Sequence, residues 1–87
     1  SKNKIDMKTF KDLKFEPHSV YKGGVQARMT FHNEQWISVV GGAKGLYGNG
    51  VTSFEVCSSS SIKTMAQVKG WRTKEQITNH MKYLQKK

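Results

Sequence analysis

Apolar residues between positions 25 and 57 recur with a period of two. Val25, Ala27, Met29 and Phe31 alternate with Gln26, Arg28 and Thr30, the signature of a strand with one buried face. Trp36–Val40 continues the pattern, with Ile37 and Val39 on one side and Trp36 and Ser38 on the other. Thr52–Cys57 repeats it, with Phe54 and Val56 as the inward pair. The short polar run His32–Gln35 suits a hairpin connection. Upstream, Leu13 and Phe15 flank Lys14, which reads as a brief strand over Asp12–Phe15 halted by Pro17, and Tyr21–Gly24 reads as a turn.

The period changes near the end of the chain. Ile77, Met81 and Leu84 fall at i, i+4 and i+7, one apolar stripe of an amphipathic helix, with Lys74, Asn79, Lys82 and Gln85 on its other faces. Thr73 and Gln76 have capping-box spacing, so the helix is expected to begin there. Ser58–Ser61 reads as a polar loop. Ile62–Val68 fits neither period, although Met65 and Val68 can share a helical turn, and Gly70 reads as a break.

The elements sum to an α+β domain: a meander of about four antiparallel strands packed against a C-terminal α-helix. One domain spans residues 1–87, with 1–8 a flexible basic segment. The helix covers one sheet face. The other, carrying Gln26, Arg28, Thr30, Trp36 and Ser38, is left to solvent, a ligand or a second subunit.

Composition adds a partner class. Fifteen Lys and Arg oppose six Asp and Glu, a net charge of +9, which attracts nucleotides, nucleic acid or an acidic surface. The basic residues cluster at both ends of the chain and do not line one helix face, so a groove-reading nucleic-acid binder is the less favoured reading. A core this small is marginal without disulfides or metal, and Cys57 is the lone cysteine, so a homo-oligomer is expected. No apolar run reaches membrane-spanning length. The charged start lacks the apolar stretch of a secretory leader, which with the lone thiol points to a reducing cytosol.

Catalysis finds little support. The acids Asp6, Asp12, Glu16, Glu34, Glu55 and Glu75 form no pair at acid–base spacing, and no His/Cys set has metal-ligand spacing. Neither catalytic residue, metal nor cofactor is expected. Glu55, between Phe54 and Val56, belongs on the polar sheet face, placed to pair with Arg28 or to accept from a ligand amino group.

The segment Gly41–Gly50 holds five of the eight glycines. Glycines let successive amides converge on an anion. Lys44 adds a charge and Tyr47 an aromatic face. The loop is not a Walker A motif, since no Gly-Lys-Ser/Thr opens a helix after it. It is expected to be a flexible connection that closes over a ligand. Gln26, Arg28, Lys44, Gly45, Tyr47, Trp71 and Arg72 are the candidate contacts: aromatic faces stack on bases, and Arg and Lys engage phosphates.

Taken in order, Phe10–Phe15, Gly24–Met29, Ile37–Val40, Gly45–Gly48 and Phe54–Val56, with the closing Gly70–Thr78 and Met81, resemble a widespread group of small phage-encoded proteins. Within that group the chain resembles the anti-CBASS cyclic-dinucleotide sponges over about residues 8–85. It departs at His32–Trp36, where an Asn-Gly turn is usual, and in a shortened serine segment after Cys57. The resemblance implies a phage immune-evasion protein acting in the host bacterial cytoplasm. Such a protein sequesters a 3′3′-cyclic GMP–AMP-like messenger without cleaving it, in pockets shared between subunits of a dimer or tetramer. The alternatives are a basic nucleic-acid-binding regulator and an inhibitor of a host protein.

Overall fold

The period-two segments pair as a meander. In a computed structural model, which describes residues 7–59 and 69–87, the strands are β1 (Glu16–Pro17), β2 (Val25–Thr30), β3 (Trp36–Gly41), β4 (Ser53–Ser58) and β5 (Lys69–Thr73). They form one antiparallel sheet in sequence order, and the α-helix α1 (Lys74–Gln85) follows β5 directly. The architecture is the expected α+β arrangement, with a fifth strand.

Strand alternation sorts the side chains. Ala27, Ile37, Val39, Phe54 and Val56 point to one face and are buried there with Ile77, Met81 and Leu84 of α1, joined by Leu13 and Phe31. Cross-strand pairing sets the opposite face in rows. Glu16, Gln26, Val40 and Glu55 form one row, Arg28, Ser38 and Cys57 the next, and Thr30 and Trp36 a third.

The helix begins where its sequence says. The Gln76 amide donates to Thr73 Oγ1 at 3.2 Å and the Thr73 amide donates to Gln76 Oε1 at 2.9 Å, satisfying two donors at the terminus reciprocally. Gln85, expected on a polar face, is instead buried. Its side-chain amide donates to the Lys8 carbonyl at 2.8 Å, and its Oε1 accepts from the Lys8 amide at 2.7 Å. Lys8, placed by its sequence in a flexible segment, is thereby tied to the helix end.

Three segments differ from expectation, and one of them is Gly70, read as a break, which lies within β5. Asp12–Phe15 is not a strand: Phe10–Asp12 forms a single 3₁₀ turn, because the Asp12 carboxylate accepts from the Thr9 amide at 2.8 Å and closes the chain on itself. Pairing begins only at Glu16, and Pro17, which has no N–H to donate, sits on the edge strand. Ser58, read as loop, ends β4 and is fully buried. The readings of Ser60–Val68 lie outside the described residues.

The hairpin between β2 and β3 turns through Glu34 at φ 69°, whose amide donates to the Phe31 carbonyl at 3.0 Å. A residue with a Cβ is strained there. Glu34→Gly is therefore expected to raise stability by about 0.5–1 kcal/mol, measurable as an increase in urea midpoint at unchanged slope.

The Thr9 hydrogen bond holds the Asp12 carboxyl below its ordinary pKa of 3.8; partial burial opposes this, and Lys8 and Lys11 add to it. A depressed folded pKa stabilises above the unfolded value and is lost as pH falls through the folded one. Wild type should therefore exceed Asp12→Asn in Tm at pH 7, with the gap closing as pH drops below 3.8.

Candidate functional site

The glycine loop between β3 and β4 is a hydrogen-bonded knot. The Gly42 amide donates to the Gly48 carbonyl at 3.0 Å, Leu46 to Ala43 at 3.1 Å, Gly48 to Leu46 at 3.1 Å and Gly50 to Ser53 at 2.9 Å. Asn49 Oδ1 accepts from the amides of Val51, Thr52 and Ser53 at 2.8–3.0 Å. These amides already have partners inside the protein, so the loop is a hydrogen-bonded turn rather than the flexible connection expected. The glycines serve close packing: a Cβ at Gly48 would lie 2.5 Å from the Phe54 Cα.

Tyr47 leaves this knot and crosses to β5. Its ring stem lies on Gly70, where an added Cβ would stand 2.6 Å from the Tyr47 Cβ. The Trp71 amide donates to the Tyr47 carbonyl at 2.7 Å, and the Tyr47 amide donates to Glu55 Oε1 at 3.3 Å. Opposite Glu55, β5 carries an extra residue, since Phe54 pairs with Arg72 while Val56 pairs with Lys69. This β-bulge places Trp71 at φ 55°, a conformation a bulky residue rarely adopts. Tyr47 and Trp71 are each 62% exposed, two neighbouring aromatic side chains held by backbone bonds on the surface.

Strand alternation separates neighbours that the sequence grouped. Arg72, paired with Phe54, turns to the helix side and lines a cleft of about 130 Å³ with Val56, Gln76 and His80. Its Nε is buried without a hydrogen-bond partner among the described residues. Arg72 and Trp71 therefore do not share a site.

On the uncovered sheet face, Gln26 and Arg28 line a groove of about 380 Å³ together with Lys14, Glu16 and Ser38. Gln26 Nε2 donates to Glu16 Oε1 at 3.3 Å. The Arg28 guanidinium lies 4.6 Å from the Trp36 ring centroid, a cation–π contact that orders the side chain while leaving its N–H edges available. The anticipated Arg28–Glu55 pair is replaced by these contacts. Gly45 lies on the far side of the loop, where a Cβ would meet the Tyr21 ring at 3.3 Å, and its neighbour Lys44 is exposed.

The candidate residues thus divide among four places, three of them being the groove with Gln26 and Arg28, the bulge with Tyr47, Trp71 and Glu55, and the helix side with Arg72. Lys44 and Gly45 stand apart beside Tyr21. Lys14, Glu16 and Ser38 were missed as groove residues; the alternation of Lys14 with Leu13 and Phe15 was the available signal.

The structure also holds a Ser–His contact, Ser58 Oγ to His80 Nε2 at 3.1 Å. Ser58 is 0% exposed, so a substrate cannot reach its hydroxyl, and the contact joins β4 to α1. Among the described residues no group of three or more His, Cys, Asp or Glu is placed to hold a metal. None of the described helices is long and apolar enough to cross a membrane.

Backbone strain at a solvent-exposed aromatic has a measurable consequence. Trp71→Gly removes the strain and little buried surface, so it is expected to raise stability by about 1 kcal/mol, or roughly 4–8 °C in Tm. A lower Tm would show that the indole packs as a structural element.

No family model, curated protein or solved structure matches the chain.

Proposed function

We propose that the protein binds and sequesters a phosphate-bearing nucleotide of the cyclic-dinucleotide class, 3′3′-cyclic GMP–AMP being the form its motif resemblance suggests, and leaves it uncleaved. The observation that carries this reading is the pairing of aromatic and cationic groups on the uncovered side of the sheet. Arg28 over Trp36 borders the groove with Lys14 and Gln26 at one end. Exposed Tyr47 and Trp71 stand at the other.

Measured across the sheet, Arg28 on β2 and Trp71 on β5 are three strand spacings, about 14 Å, apart. A ligand with two bases and a phosphate-rich centre suits that span better than a mononucleotide. Each base would find an aromatic platform, and the phosphates would meet Arg28 and Lys14. The open face also leaves room for a second copy, as in the shared pockets of the sponge family. Sequestration blocks host CBASS signalling by mass action alone and needs no catalytic group.

The net charge of +9 favours a second reading, a nucleic-acid-binding regulator. The two differ in salt response, since affinity for a polyanion falls steeply with the number of phosphates contacted.

A thermal-shift panel of mono-, di- and cyclic dinucleotides tests the proposal, because a ligand that binds only the folded state must raise Tm. A cyclic dinucleotide at 100 times its Kd should add about 2.7 kcal/mol, and heat denaturation should release it intact. Arg28→Ala and Tyr47→Ala should each weaken binding about tenfold or more while keeping the fold. Release of linear product would mark an enzyme. A salt-sensitive gel shift of single-stranded oligonucleotide with no cyclic-dinucleotide shift would favour the second reading.

A further inference from the structure

The helix side of the sheet carries a cleft that the nucleotide reading does not use. The apolar stripe of α1 starts at Ile77, so its first turn lays Lys74, Glu75 and Gln76 over the end of the sheet and contributes no apolar cover for Phe54. Phe10 and Phe15 close most of that gap and leave Phe54 3% exposed. The three rings pack at centroid distances of 5.1–5.5 Å. They leave a cleft of about 340 Å³ lined by Phe10, Phe15, Val25, Val51, Phe54 and Lys74.

Its walls are preformed. Phe10 is fixed by its backbone amide, which donates to Thr78 Oγ1 on the helix at 3.1 Å. Val51 is fixed on the rim by the turn that Asn49 Oδ1 closes, and it is 67% exposed. Nothing inside the domain requires an apolar, β-branched side chain at that point. Among the described residues Lys74 is the one charged side chain lining the cleft, and its Nζ lies 5.6 Å from the Phe10 ring centroid. A shallower depression continues past Phe10 and Lys74 to Thr9, Lys11, Glu75 and Thr78.

An apolar cleft with one cation at its mouth selects a ligand with an apolar body and one anionic end. A dry cavity of about 150 Å³ takes up benzene. A cleft of about 340 Å³ therefore has room for an aromatic ring and a short chain. The geometry points to a second binding site, between the start of α1, the 3₁₀ turn and the Asn49–Ser53 turn, that takes a small aromatic carboxylate or sulfonate. The ring inserts against Phe10, Phe15 and Phe54, and the anion meets the Lys74 ammonium. A neutral isostere gains the ring contacts but not the charge-assisted bond.

The site is separate from the open sheet face, so its test does not depend on nucleotide binding. The full chain is titrated with 1-anilinonaphthalene-8-sulfonate at neutral pH, and the bound dye is displaced with 3-phenylpropionate or with 3-phenylpropan-1-ol. The expected result is saturable single-site binding, with the carboxylate displacing dye about tenfold more effectively than the alcohol. Lys74→Gln should remove that difference. Val51→Glu, at an exposed position, should abolish dye binding without changing Tm. Amide shift changes on adding 3-phenylpropionate should centre on Phe10, Val51 and Lys74. Equal competition by acid and alcohol in wild type, an unchanged preference in Lys74→Gln, or shift changes centred on Arg28 and Ser38 would each overturn the assignment.

Discussion

A 2.7 Å hydrogen bond from the Trp71 amide to the Tyr47 carbonyl ties the β3–β4 loop to the edge strand, and much of the molecule follows from it. With Tyr47 lying on Gly70, β5 cannot run straight past Glu55 and takes up an extra residue. At the resulting bulge Trp71 takes a left-handed backbone conformation, while Arg72 stays in register with Phe54. The bulge also sets the point at which the chain passes from β5 into α1 at Thr73, where the capping box starts the helix. A side chain at Gly70 would displace Tyr47 and with it the loop, the bulge and the helix entry together.

The sheet is covered on one face only. Its inner face and the stripe of α1 make a single small core, with Ile37, Val39, Met81 and Leu84 fully excluded from water. The outer face keeps a mixed character, with Val40 and Cys57 half-buried beside Arg28, Trp36 and Glu55. Such a face binds something polar and aromatic more readily than it disappears into a core. Because the chain holds Trp71 at a backbone angle that disfavours any residue with a Cβ, the exposed aromatic pair is maintained against a local free-energy gradient, a pattern typical of surfaces kept for contact.

The charge works over longer range. With a net charge of +9, the domain attracts anions at long range, and two of its cations are held against aromatic rings. Arg28 is ordered by the Trp36 ring and Lys74 lies over the Phe10 ring. Both therefore lose less freedom on engaging an anion than Lys or Arg side chains that extend into solvent.

The sequence alone determined the strands β2, β3 and β4, their inward residues, the helix and its cap. Each is encoded locally, by alternation, by a 3.6-residue stripe or by the spacing of Thr73 and Gln76. It also placed Gln26 and Arg28 on the uncovered face. The tertiary structure decided what depends on distant partners. β5 escaped notice because Gly70 resembles a break until Tyr47 is seen to occupy the space its missing side chain leaves. Trp71 and Arg72, adjacent in sequence, fall on different sides because successive residues of a strand alternate faces, which could not be read until Lys69–Thr73 was seen to be a strand. The glycine loop resembles an anion cradle until several of its amides are matched to acceptors within the loop and in the strand that follows it. Gln85 looks like surface until the Lys8 backbone arrives across 77 residues to satisfy it. Periodicity reports which face a residue takes; only the fold reports what already occupies its hydrogen bonds.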